Sequence, residues 1–399
     1  MQKELPEGWV WKRLGDVGKI ISGVTYKSEE ASDEPQENFI PILRAMNING
    51  ELNFNDLVFV PTERVSKEQF IRVDDVVIAM SSGSKAIVGK TAQAKQDFQG
   101  SFGAFCAVFR CNEDIDKKYV GLFFQTPNYR ALISHLSRGA NINNLRKENF
   151  KSMLIPLPPL PVQRQIVAVL EQAEALKRQR EEADALTGAF LQSVFYEMFG
   201  DPVENEKGWK IKKLGDLGDW TSGGTPSRVR SDYFEGDIPW YSTGELNDSY
   251  LVDSLEHISQ EGLDSSAAKI FPIGTMLIGM YDSAAFKMGI LRHPSATNQA
   301  CAAFTPRTEL IDTLFALQLF KAMKPSFLSR RRGVRQKNLN QQIIKDFEVP
   351  VPPLPLQQQF ACVVQDVERI REQQVASGNE IEGLCEGLMQ RAFAGELAA

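Results

Sequence analysis

The chain is poor in the residues that most catalytic sites are built from. Its 399 residues include three histidines and five cysteines, and the cysteines stand at 106, 111, 301, 362 and 385 with no Cys-x-x-Cys pair. That scatter supports neither a disulfide framework nor a tetrahedral zinc site, and it predicts free, buried thiols. His135, His257 and His293 share no partner pattern, so Ser-His-Asp chemistry has no footing. No Pro-Asp pair precedes an acid-x-Lys element of the nuclease kind. An Asn/Asp-Pro-Pro-aromatic motif for adenine methylation is missing, as is a glycine-rich loop for S-adenosylmethionine. No catalysis by this chain alone is expected. Apolar runs fall short of the roughly 18 residues that span a bilayer, and Met1 to Pro6 lacks the basic-then-apolar pattern of a signal peptide, so a cytoplasmic protein is expected.

One segment imitates a nucleotide site. Gly83 to Thr91 follows an apolar run and ends Gly-Lys-Thr, but five residues separate its glycines where a phosphate-binding loop needs four. The polar stretch after it, Ala92 to Asp97, opens no apolar helix. The segment reads as a basic surface loop between strands.

What the chain does have is itself, twice. Residues 155 to 166 (IPLPPLPVQRQI) and 349 to 360 (VPVPPLPLQQQF) agree at seven of twelve positions, 194 apart. Residues 8 to 25 and 208 to 225 agree at ten of eighteen, 200 apart. A repeat this long, once per half, means two copies of one domain rather than a solenoid. Between the anchors the halves diverge around shared landmarks: Ile40-Pro41 and Ile238-Pro239, Cys106 and Cys301, Asn144-Leu145 and Asn338-Leu339. Runs such as Ile40 to Leu43, Val76 to Met80 and Ala104 to Phe109 are β-branched or aromatic and read as strands. A helix is expected around Lys117 to Leu136, with its counterpart around Leu310 to Leu328. The predicted fold class is α+β: two similar domains joined by two long helices packed as an antiparallel coiled coil, with an internal pseudo-two-fold repeat. The boundaries fall at 1–155 and 201–348 for the domains, and at 156–200 and 349–399 for the helical regions.

The helices follow from the proline elbows, since proline forbids helix before it but suits the first helical turn. After the first elbow, Val162, Ile166, Val169, Ala173, Leu176, Phe190 and Val194 recur at alternating spacings of four and three, interrupted by Arg180 and Thr187. The second copy keeps the register with Leu356, Phe360, Val363, Val367, Ile370, Leu384 and Leu388, and its polar break Gln374 matches Arg180. Matching seams predict that the two helices pair; the alternative is that each covers only its own domain. At about 1.5 Å per residue, such a helix is a rod of roughly 50 Å. Gly200 to Lys207 is the polar breaker between the halves.

The formal net charge of −6 speaks against a nucleic-acid partner only if charge is evenly spread. It is not: Lys321 to Lys345 contains eight basic residues and no acid.

The assembled pattern resembles the specificity (S) subunit of Type I restriction-modification enzymes. The likeness rests on the Trp-x-x-x-x-Leu-Gly-Asp openings with Ser-Gly-x-Thr (Trp9 to Thr25, Trp209 to Thr225) and on the elbows Pro156 to Gln163 and Pro350 to Gln357. It rests also on the Met198-Phe199-Gly200-Asp201 junction and the closing Ala392 to Leu397. One departure is that Val162 and Leu356 stand where the family usually has Glu before the elbow glutamine. The resemblance implies a DNA-recognition subunit in which each domain reads one half of a split, asymmetric double-stranded site. It implies two methyltransferase subunits and motor-nuclease subunits as partners, with S-adenosylmethionine, ATP and Mg in those partners and no cofactor or metal in this chain. A protein-interaction scaffold without DNA is the alternative.

On that reading, phosphate contacts are expected from Lys85, Lys90, Arg138, Arg146 and Lys147 in the first domain and from Lys287, Arg331, Arg332, Arg335 and Lys337 in the second. Side chains that can present paired donors and acceptors to bases are Thr25, Lys27, Ser82, Asn143 and Asn144, against Ser227, Arg228, Arg230, Asn298 and Asn338.

Overall fold

The computed structural model describes residues 5–84, 86–136, 144–281, 284–329 and 339–397. The chain forms two compact units, Met1–Arg180 with Ser377–Ala399, and Glu181–Ala376.

In the first unit a four-stranded antiparallel sheet runs Gly18–Ser22, Cys106–Cys111, Val76–Ala79, Thr91–Gln93. Val76–Ala79 is apolar throughout because both of its faces are buried. A second sheet pairs Phe39–Leu43 with Val58–Pro61 and, in parallel, with Ser101–Phe102. The strand expected from Ala104 begins only at Cys106; Phe105 lies in the turn before it and is 69% exposed. The helix expected over 117–136 is broken into Lys117–Phe123 and Pro127–Leu136. Pro127 cannot donate to the preceding turn, and the Thr126 hydroxyl caps the new helix by accepting the Tyr129 N–H at 3.2 Å. Phe109, Phe124 and Phe150 close the core, with Phe124 and Phe150 stacked at 5.5 Å.

In the second unit the large sheet has five strands, Gly218–Ser222, Cys301–Pro306, Met276–Gly279, Met288–Leu291 and Ser249–Leu251, the last joined in parallel. Its smaller sheet holds Glu256–Ile258, Ile238–Tyr241 and Ala296–Thr297. Here the expected closing helix is unbroken from Thr313 to Ser329 despite Pro325 inside it. Phe286, Phe327 and Phe347 fill the core, Phe327 and Phe347 stacked at 4.4 Å.

The repeated motifs have local physical reasons. Strand Val10–Arg13 pairs with Leu154–Leu157, and Lys210–Lys213 with Glu348–Val351, so each opening motif is tied to its own elbow. Leu14 and Leu214 are fully buried just beyond these strands. The elbow glutamine is a buried clamp. Gln163 donates to the Pro158 carbonyl (2.8 Å) and accepts the Asp116 N–H (3.0 Å). Gln357 does the same with Pro352 (2.7 Å) and Asp312 (2.9 Å). Asp116 and Asp312 in turn cap the domain helix, accepting from Tyr119 and Phe315.

The long helices are Leu160–Phe199 and Leu354–Ala394. Each ends at a glycine in the left-handed region, Gly200 (φ 73°) and Gly395 (φ 77°), which suits a residue without Cβ. In each unit they pack antiparallel. In the first, the Cys385 thiol reaches the Ala173 carbonyl at 3.6 Å, and Leu170 shares a core with Ala392 and Phe393. In the second, Gln374 donates to the Thr187 hydroxyl at 2.9 Å, while Phe195 and Phe199 lie 5.5 and 5.4 Å from Phe360.

The seam follows the heptad pattern near the elbows and departs from it further along the helices. Ile166, Ala173, Phe360 and Val367 are buried and Val169 and Val363 half-buried, but Leu176, Phe190, Ile370 and Leu384 are exposed. Leu191, Phe195, Phe199 and Val364 are buried instead. A straight helix drifts by about 20° per heptad against a strict seven-residue repeat. The outer turns also face the domain, as Phe199 does against Phe315 at 4.8 Å. The thiol expectation needs correcting too: Cys106, Cys111 and Cys301 are buried, but Cys362 is exposed and Cys385 half-buried.

Candidate nucleic-acid interface

Each α+β domain is tied by the same backbone crossing, and in the first domain that crossing borders a groove. In the first, the Met80 and Ser81 N–H groups both donate to the Phe105 carbonyl (2.9 and 3.0 Å), and Leu145 N–H donates to Met80 (2.7 Å). In the second, Met280 N–H donates to Ala300 (3.0 Å) and Leu339 N–H to Met280 (2.8 Å). Beside this crossing runs the Ser-Gly-x-Thr motif. A Cβ on Gly23 would stand 2.0 Å from the Gly103 carbonyl oxygen, and one on Gly223 would stand 1.9 Å from that of Thr297. Only glycine lets the two chain segments touch, and in the first unit the touch sets Thr25 at the groove.

In the first unit the groove has a volume of about 360 Å³ and gathers Ser22, Thr25, Ser81, Phe105, Asn144 and Lys147. Three of these, Thr25, Asn144 and Lys147, are among the sequence candidates. The Lys147 ammonium donates to the Ser22 hydroxyl, so its charge stands over the motif. Arg146, exposed, precedes the short helix Lys147–Ser152 that carries Lys147. Ser82 is half-buried beside the groove and accepts from Ser84 N–H at 3.2 Å. Lys27 is exposed and its N–H is held by Glu30 at 3.2 Å. Lys90 is not brought to the groove; its ammonium donates to Asn49 at 2.7 Å. The loop that bears it is strand-to-strand: Gly89 (φ 75°) leads into Thr91–Gln93, with no helix to receive a phosphate.

In the second unit, Thr225 and Gln299 share a hydrogen bond at 2.5 Å beside the crossing. Asn298 is spent on its own turn, accepting Ala300 N–H at 3.0 Å. Lys287 is exposed on the loop before Met288–Leu291. Arg228 and Arg230 are exposed and paired with acids at the domain surface. Arg228 forms a two-pronged pair with Glu256 and lies over Phe234 at 4.1 Å, and Glu256 holds its guanidinium charged. Arg230 pairs with Asp232 and Glu261 and lies over Tyr233 at 4.6 Å. Ser227 supports this turn, its carbonyl accepting from Arg230 N–H at 3.2 Å. Lys85, Arg138, Asn143, Arg331, Arg332, Arg335, Lys337 and Asn338 lie outside the described residues.

Two exposed aromatics escaped the sequence reading: Phe105 at the first crossing and Tyr281, next to Met280, at the second. Phe105 was hidden inside an apparent strand; the signal was its flank, Ser101-Phe-Gly-Ala, which breaks the β-branched run. Among the described residues no cluster of His, Cys, Asp and Glu could hold a metal ion.

The Type I restriction modification DNA specificity domain model matches residues 6–183 and again 206–382. The chain belongs to that family. The two specificity-domain matches cover both units. Relatives include the StySPI specificity subunit of Salmonella potsdam and the EcoKI specificity subunit of Escherichia coli K12, each 42% identical over 196 residues. Each of these matches covers 48% of this chain and 42% of the relative, so less than half the length of those proteins is spanned. The EcoR124I/EcoR124II specificity subunit of Escherichia coli is 23% identical over 374 residues, covering 89% of this chain and 85% of that one. Two solved chains share the fold. One, from a study of complex assembly and conformational transition of the type I R-M system, aligns with a TM-score of 0.65 at 20% identity, over 99% of this chain and 100% of that one. The other is the S subunit of a Type-I restriction-modification system from M. genitalium, with a TM-score of 0.58 at 14% identity over 98% and 99%.

Proposed function

We propose that this chain is the DNA-recognition subunit of a Type I restriction-modification complex, with each α+β domain reading one half of a bipartite, asymmetric double-stranded site. The observation that carries the reading is the repeated backbone crossing, made by Met80 and Met280 and flanked by different side chains in the two halves. A shared crossing with unlike flanking side chains suits two unlike half-sites. Thr25, Asn144, Lys147 and Phe105 supply donors, acceptors, a cation and an aromatic face in one groove, the groups that meet phosphates and base edges. The chain contributes binding rather than chemistry. S-adenosylmethionine, ATP and Mg belong to methyltransferase and motor-nuclease partners, and the complex works in the cytoplasm. No helix among the described residues is long and apolar enough to cross a membrane.

The methyltransferase subunits dock on the long helices. In the first unit Leu176 and Leu384 are exposed on these helices, and in the second Leu186, Phe190, Ile370 and Val375 are. Apolar side chains left uncovered along a helix pair mark a surface that a further helix covers. A map of methylated adenines in cells carrying the whole enzyme tests the function, and two fixed half-sites at a constant separation are expected. Methylation without a bipartite site, or a complex that binds unrelated duplexes equally well, overturns it.

A further inference from the structure

In the second unit a cavity of about 290 Å³ lies where the first long helix, the second long helix and the domain helix Thr313–Ser329 meet. Its polar lining is Gln192, Tyr196, Gln318, Lys321 and Arg371. The cations here do not all have acids. Arg371 is held by Glu368 at 2.8 Å, and Lys324 by Asp248 at 3.1 Å. The other oxygen of Asp248 accepts the Met288 N–H at 2.8 Å, so that carboxylate is already engaged at both ends. Lys321 is half-buried between them and, among the described residues, makes no hydrogen bond or ion pair. Burial pulls its pKa below the usual lysine range, the mark of an ammonium that has lost water without gaining a partner. Asp248 and Glu368 act on it favourably, Arg371 and Lys324 unfavourably. Three cations against two acids leave one positive charge over, surrounded by two amides and a phenol that can donate to an anion.

The single surplus charge suits a monoanion, and the cavity is large enough for a carboxylate with its stem. The second long helix leaves Val375 exposed one turn beyond Arg371 on the same face, so an apolar side chain adjoins a cationic socket. An amphipathic helix carrying an acid complements that pattern. We propose that the Lys321 cavity is a docking socket for the aspartate or glutamate side chain of a helix on the methyltransferase partner. The idea rests on the partner docking proposed above.

The full chain, produced with its methyltransferase subunit, provides the test, with assembly followed by sedimentation and folding by thermal melting. Lys321→Met keeps the stem and removes the charge. It is expected to weaken assembly about tenfold or more while the melting temperature stays level or rises. Lys321→Arg retains assembly, and Lys321→Glu loses it until one partner acid is changed to lysine. Phe190→Ala separates the two ideas. If Phe190→Ala weakens assembly and Lys321→Met does not, the socket is wrong and docking on the helices stands. If neither variant matters, the docking reading fails as well. A melting temperature that rises with millimolar acetate in the wild-type chain but not in Lys321→Met, with assembly indifferent to both, assigns the cavity to a free anion and overturns the proposal.

Discussion

The wide sheets of the two halves solve one problem in two ways. Next to the rungs Val76 with Phe109 and Met276 with Phe304, the first half sets Asp75 opposite Arg110 and the second sets Thr275 opposite Thr305. Asp75 is buried and takes the Arg110 Nε and Nη2 at 2.8 and 2.6 Å, while the two threonine hydroxyls share one hydrogen bond at 3.0 Å. The ladder is the same, so the backbone does not depend on which chemistry satisfies the interior. What differs is the penalty for failure, since an ion left alone in a poorly solvated place costs far more than a hydroxyl does.

That contrast can be broken most sharply at Asp75. Asp75→Ala leaves the Arg110 guanidinium with only the Glu68 and Phe70 carbonyls (3.2 and 2.9 Å), also frees the Arg72 N–H, and is expected to cost about 3 kcal/mol in denaturant unfolding. Thr275→Val should cost only about 1 kcal/mol. Replacing Asp75 and Arg110 together by threonines should recover most of the loss; no recovery would mean that the pair is not interchangeable with the hydroxyls. Next in size are the elbow clamps, which the halves share. Gln163→Leu and Gln357→Leu each leave a buried carbonyl and N–H unpaired and should cost about 2 kcal/mol, read as lower melting temperatures. A large effect in one half alone would end their equivalence.

The two crossings predict a smaller, directional difference. Phe105→Ala and Tyr281→Ala should each weaken DNA binding by the complex about tenfold, with base preference relaxed in opposite half-sites. Relaxation of the same half-site by both would overturn the assignment of one reader to each half. The thiols give the least perturbing probe. Burial pushes Cys106, Cys111 and Cys301 up to about 12, so at pH 8 almost none of each is thiolate, the reactive form. A thiol reagent at pH 8 should therefore label exposed Cys362 first, and these three only on unfolding or at pH near 12.

Much of the frame was legible because the repeated residues each do a local job: Gly23 and Gly223 let backbones touch, Gln163 and Gln357 clamp elbows, and Gly200 ends a helix. The helix over 117–136 was misread because apolar periodicity runs through Pro127 without showing that Thr126 caps a new start. In the other half Pro325 interrupts nothing visible, although the Lys321 carbonyl loses its helical donor there. The seam was read two residues in seven, whereas the real helices share their apolar face between each other and the domain. The candidate site was the least legible part. Arg228 and Arg230 look free in sequence, and only the fold reveals Glu256, Asp232 and Glu261 waiting for them.

The buried elbow amide has a practical corollary for anyone cutting and splicing such chains. Gln163 belongs by sequence to the spacer but by bonding to the Asp116 cap of the preceding module. A chimera joined upstream of it would marry one parent's cap to another's amide, and the module's heading on its stalk would then hang on how well strangers fit. Joined downstream, the module travels with its own hinge pin.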